Sequence, residues 1–270
     1  MKRDAQKDKE NLKLLYSKYV DFDLEDSSNI GHTFYENYQK LNQIDSNDPQ
    51  FRYLLFYCLF GVIEYLQGFS DETELKFWQK RLKNNSNSVG LYGDIFELYI
   101  QWTLIQKQIV FSKSERPDFI IEFNASNVYL ECTSAQFDLN KMPTENEVFK
   151  KIKSVVRAKL TSGYLNSSTA LFIDITNLVY HLENFDKELL RKALEAIDID
   201  LKKNPSETLS YPGSVTFMNF EFVENKTHNF SCNITGNFIR NADANLVKFL
   251  ESNFIPKIEK KKFINPKFNH

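Results

Sequence analysis

Cysteine is scarce: Cys58, Cys132 and Cys232 stand far apart, each inside an apolar segment. That distribution argues against a disulfide framework, a zinc knuckle and a thiol catalyst, and it predicts buried free thiols. Long hydrophobic runs are missing too. The longest, Phe51 to Leu66, is broken by Arg52 and Glu64 and falls short of the roughly 18–20 residues that cross a bilayer, so it reads as a buried helix. The N-terminal MKRDAQKDKENLK has neither an apolar centre nor a small-residue cleavage site, so no export signal is read and a cytoplasmic protein without a membrane partner is expected. No charge sign dominates. A formal net charge of −2 gives no global attraction for polyanions, which leaves nucleic acid binding to local basic patches. His32, His181, His228 and His270 show no HxxxH or HxH spacing, and GxSxG, P-loop and GxGxxG motifs are absent. Histidine-rich metal sites, hydrolase elbows and nucleotide-binding loops lose support accordingly.

What is present is ordinary for a globular chain: 42% apolar and 26% charged residues over 270 positions, enough for one full core and an appended lobe. The 24 phenylalanines and 13 tyrosines fall mostly at core periods beside Ile and Leu, which reads as packing rather than base stacking. Residues 6–83 carry apolar positions at helical spacing, for example Leu12, Leu15, Tyr16 and Val20, and Asp71 is placed to start a helix. The polar stretch 84–88 is the expected boundary of a helical lobe at 1–88.

A helix buried on both sides is predicted at 89–106, followed by strands at 108–112, 118–123 and 128–134, with a hairpin loop at 124–127 joining the last two. An amphipathic helix at 145–160 and a strand at 169–175 complete an α-β-β-β-α-β order. A second helix at 186–203 closes a segment 89–204. Residues 205–270 are predicted as a hairpin (214–223 and 229–239), a helix at 243–254 and a basic tail with Lys257, Lys260, Lys261, Lys262 and Lys267, most simply a solvated charge run.

Three carboxylates fall where burial needs compensation. Glu97 lies beside Phe96, Ile100 and Leu104 on the first core helix, one turn after Gly93, where a second backbone could come close. Asp118 opens the second strand behind Pro117. Glu131 is inside the third, where alternation places Tyr129, Glu131 and Thr133 on one face. Neighbouring strands can bring Asp118 and Glu131 together, and hard oxygen ligands suit Mg²⁺, with Mn²⁺ as the alternative. Asp174 reads either as a further site residue or as a cap of the next loop.

In order, Gly93-Asp-Ile-Phe-Glu97, Pro117-Asp118 and, after twelve intervening residues, Glu131-Cys132-Thr133 resemble the PD-(D/E)XK nuclease superfamily over about a third of the chain. The resemblance implies an α/β, restriction-endonuclease-like core at 89–204, with the helical lobe before it and a hairpin-helix extension after it. It implies Mg²⁺ held by Asp118, Glu131 and the Cys132 carbonyl with help from Glu97, and endonuclease action on nucleic acid, DNA before RNA, in restriction or defence. A catalytically inactive relative that binds nucleic acid or protein is the alternative, and a homodimer stays open. The departure is at Thr133, where the family carries lysine. Some members supply that lysine from the following helix. At about 100° per residue, Val148, Ile152, Val155, Val156 and Leu160 define the buried stripe of 145–160, and Lys159 falls inside it. A lysine there either snorkels to the rim or meets a carboxylate. Lys159 is the candidate for the displaced lysine, and Lys151, at the stripe's edge, is second.

Overall fold

The computed structural model describes residues 5–46, 48–137, 142–180, 182, 185–203, 209–222, 230–239 and 241–255. The protein is mixed α/β and forms two compact units, residues 1–108 with 220–233 and residues 109–219 with 234–270. Among the described residues, no helix is long and apolar enough to cross a membrane.

The first unit begins with α1 (Ala5–Tyr19), which buries Leu12 and Tyr16 on one stripe, and α2 (Thr33–Gln43), whose start is capped by His32 Nδ1 accepting from the Phe34 N–H at 3.1 Å. The apolar run is a buried helix, as its composition predicts. It passes from α3 (Pro49–Arg52) through a π-helical stretch, Tyr53–Phe60, into α4 (Gly61–Gln67), and the Gly61 N–H donates to Phe56 O five residues back. A side-chain donor enters the ladder there, because Tyr16 Oη donates to Leu59 O at 3.0 Å.

Helix α5 (Glu72–Asn84) starts where Asp71 accepts from the Thr73 and Glu74 N–H groups, and it packs antiparallel to α6 (Ser88–Gln106). The polar stretch 84–88 is therefore a tight turn inside one unit rather than a boundary. Asn87 caps α6 by accepting from the Gly90 N–H, and Ser86 O accepts from Thr33. Helix α6 consequently belongs with the helical lobe, and the expected division at 88 moves to 108. A Cβ at Gly93 would meet no described atom within 4 Å, so no backbone makes the close approach expected there.

The sheet runs in chain order: β1 (Ser112–Lys113), β2 (Phe119–Phe123), β3 (Ser126–Ser134), β4 (Thr169–Asp174), β5 (Ser214–Phe222) and β6 (Phe230–Ile239). The β1–β2 and β2–β3 pairs are antiparallel, and β3–β4 and β4–β5 are parallel. The first strand is shorter and later than predicted. Gln108, at φ 56°, instead closes the end of α6 by donating its N–H to Ile105 O. The hairpin loop is also tighter than predicted, since Phe123 pairs with Ser126. Only Asn124 and Ala125 remain in the loop, both at positive φ (51° and 59°), which gives the twist of a two-residue hairpin turn.

Helix α7 (Glu145–Leu160) begins with a reciprocal cap between Thr144 and Glu147 and buries Val148, Ile152, Val156 and Leu160. Each buried aliphatic contributes about 1.5–3 kcal/mol relative to exposure. With Leu190, Ala193 and Ile197 of α9 (Glu188–Lys203) this stripe covers Leu171 and Ile173 of β4. A short helix, α8 (Thr176–Tyr180), precedes α9 and has no counterpart in the sequence reading. Helix α10 (Ala244–Asn253) packs on the other face through the ring pairs Phe123–Phe249 and Phe172–Phe254. The C-terminal hairpin is not a separate extension: β5 joins β4 and continues the same sheet.

Candidate active site

The β2–β3 ladder ends at the Phe119–Leu130 pair, so Asp118 stands opposite Glu131 and Pro117 opposite Cys132. Proline has no N–H to continue the ladder. The Asp118 side chain takes over, with Oδ2 accepting from the Cys132 N–H at 2.6 Å. In a strand the N–H and C=O of one residue leave on the same side, so the Cys132 carbonyl also faces the Asp118 edge. Tyr129 and Ala135 confirm the alternation by directing their N–H groups to Ser168 O and Asp174 O on the β4 side.

Glu131 lies one step away on the face covered by α7, in register with Leu171, and is only 2% exposed. Its Oε1 accepts from Lys159 Nζ at 2.5 Å and from Tyr164 Oη at 2.6 Å. Its Oε2 is buried with no hydrogen-bond partner among the described residues. The alternation predicted for β3 and the helical phase predicted for α7 meet here. Of the two readings open for a lysine in an apolar stripe, Lys159 adopts the one that meets a carboxylate, and 27% of its side chain stays in water. Lys151 goes elsewhere, its Nζ 5.9 Å from the Phe137 ring centre. Lys153 and Arg157 share Asp200 of α9. Thr133 is half-buried two residues beyond Glu131 and pairs with Ile173.

Glu97 has a different setting from the one expected. It lies in the first unit, where Arg81 grips it through Nη1 at 3.1 Å and Nη2 at 2.6 Å and also donates from Nε to Asp94 at 2.8 Å. Its charge is thus met by a guanidinium across the α5–α6 pair. Asp174, fully buried, accepts from the Thr176 N–H at 2.9 Å and from Ser134 Oγ at 3.1 Å, so it holds the turn after β4. Burial lowers the pKa of the His32 imidazole, which lies against Leu82 O. The tail lysines 257, 260, 261, 262 and 267 fall outside the described residues.

Tyr164 is the site residue that periodicity misses, because it lies past the end of α7. The chain reverses at Gly163, φ 82°, a conformation open to glycine. Tyr164 then reaches Glu131 from the next segment. Burial first, then the hydrogen bond to Glu131 and the negative charge of Glu131 and Asp118, raise its hydroxyl well above the usual phenol range. It stays a proton donor at any physiological pH. The sequence signal was present in outline: a hydroxyl-bearing aromatic directly after a glycine that ends a helix.

Among the described residues, no group of three or more His, Cys, Asp or Glu side chains stands ready for a metal. The oxygen donors that the register brings to this edge of β3 are the Asp118 carboxylate, opposite Glu131, the Glu131 carboxylate and the Cys132 carbonyl. All are hard oxygens, and the orphaned Glu131 Oε2 is a buried anionic acceptor in need of a cation or a donor. That set fits a divalent ion of the Mg²⁺ type completed by water. The chain matches no family model, no curated protein and no solved structure.

Proposed function

We propose that the chain is a Mg²⁺- or Mn²⁺-dependent phosphodiesterase of the PD-(D/E)XK kind, cutting nucleic acid internally and DNA first, in a restriction or defence role. The observation that carries this reading is Glu131. It is buried, its Oε1 is saturated by Lys159 and Tyr164, its Oε2 is unpaired, and Asp118 stands opposite it at the end of the ladder. A divalent ion bound there would neutralise charge on a phosphoryl group and acidify water. Asp118, Glu131 and the Cys132 carbonyl would hold it. Lys159 supplies the positive charge that Thr133 cannot, since its ammonium reaches the motif glutamate from the helix, and the Thr133 hydroxyl offers a neutral hydrogen bond on the same face. Glu97 has no role in this scheme while Arg81 holds it.

A second reading, an inactive relative that binds nucleic acid without cutting it, draws on the Lys159–Glu131 ion pair, which already neutralises Glu131 with no metal. One experiment separates the two. Pure protein is incubated with plasmid, single-stranded DNA and RNA in Mn²⁺ or EDTA, and compared with Asp118→Ala and Glu131→Ala. Cleavage that needs Mn²⁺ and vanishes in both variants is the expected result. Retention of nucleic acid without cleavage favours the inactive relative, and full activity in both variants overturns the site.

A further inference from the structure

Resting on the metal-site reading above, we infer that Tyr164 is a positioning residue that keeps Glu131 Oε2 open as the ligand oxygen. A carboxylate turns freely about its last bond, where the torsion is broad and two-fold. Lysine is a compact charge on a flexible stem that can bridge either oxygen. With Lys159 alone, the ammonium could swing across both oxygens of Glu131 and close the position a metal needs. Tyr164 removes that freedom. Its ring enters from the segment after Gly163, separate from the helix that carries Lys159, and its hydroxyl lies 2.6 Å from the same Oε1 that Lys159 takes at 2.5 Å. Two donors from two segments fill the lone pairs of Oε1, and Oε2 is left buried and without a partner.

This division of the two oxygens distinguishes the site from a closed ion pair. A structural pair would spread its donors over both oxygens, because an unpaired buried oxygen carries the full desolvation penalty. Here the penalty sits on one oxygen of Glu131, the residue that stands opposite Asp118, whose own carboxylate accepts from the Cys132 N–H.

The test is Mn²⁺ binding by the full chain, followed by electron paramagnetic resonance of the free ion, for the parent, Tyr164→Phe and Glu131→Gln. The parent should bind, Glu131→Gln should lose the site, and Tyr164→Phe should bind about tenfold more weakly or worse, the usual scale for removing a hydrogen bond behind a ligand. A second measurement uses the unaltered chain. Tyrosine labelled with ¹³C at Cζ should show the Tyr164 resonance moving with Mg²⁺ and saturating with it, and the movement should be missing in Glu131→Gln. If the parent binds Mn²⁺ but Tyr164→Phe binds it equally well, or if Mg²⁺ binds without moving that resonance, the positioning role is overturned while the metal site stands. If the parent binds no Mn²⁺, the metal-site reading fails and this inference goes with it. Should Tyr164→Phe not fold, the Mg²⁺ titration of the parent decides alone.

Discussion

Replacing Lys159 with methionine keeps the length and the apolar stem of the side chain and removes only the charge. The gross attraction lost is large: two unit charges 2.5 Å apart, at an effective dielectric of about 20, interact by about 7 kcal/mol. Most of that is offset by the cost of drying both groups. Breaking a fully buried pair costs about 3–5 kcal/mol, because the remaining charge is stranded. Glu131 is stranded here almost completely, while Lys159 keeps 27% of its side chain in water and so gives up less on folding. The expected loss for Lys159→Met is therefore about 2–4 kcal/mol. Urea unfolding in EDTA measures it, with Glu131→Gln and the double variant closing the cycle. Glutamine retains an oxygen for Tyr164 and strands no charge, so the double variant should be more stable than Lys159→Met alone. A loss below about 0.5 kcal/mol, with no coupling between the two positions, would refute the pairing, since surface changes fall in that range.

Two further outcomes follow from the same structure. Burial, the strongest of the influences on it, raises the pKa of the Asp94 carboxyl against the pull of Asn85 and Arg81. A carboxyl raised in the fold supports folding below its unfolded pKa of about 3.9 and withdraws that support as pH rises through the folded value. Asp94→Asn has nothing to withdraw, so its stability relative to the parent should improve from about pH 4 upward, and urea midpoints with a constant difference across that range would contradict this. Gly213→Ala should lose about 1–3 kcal/mol, since the added Cβ would lie 2.1 Å from Ser167 O, a backbone atom that cannot move aside cheaply. An unchanged melting temperature would refute the close approach of Gly213 to Ser167.

Much of the local structure was legible because its causes lie within a few residues. Asp71 before Glu72 and Glu74 marked the start of α5, and the stripe of Val148, Ile152, Val156 and Leu160 fixed which side of α7 is buried. That phase put Lys159 on the buried stripe and left its ammonium two destinations, the rim or a carboxylate. Strand alternation likewise put Glu131 and Thr133 on one face. Turn details were less legible. Ala125 adopts positive φ with no local residue preference for it, because the ladder on either side demands the tight turn.

The sequence by itself determined the faces of α7 and β3 and placed Lys159 on the buried stripe, since capping and periodicity act over one or two turns; that Lys159 meets Glu131 rather than the rim was decided by the fold. Only the tertiary structure decided which helix joins which core. Helix α6 has apolar residues on both sides and so no preferred partner in its own pattern, and the Arg81 contacts with Asp94 and Glu97 tie it to α5. It also decided that β5 extends the sheet along β4, a pairing between segments some forty residues apart that no local window contains. Tyr164 belongs to the same class. Its meeting with Glu131, 33 positions earlier, depends on where the chain reverses at Gly163 and on the parallel register of β3 with β4, neither of which is written in the residues around it.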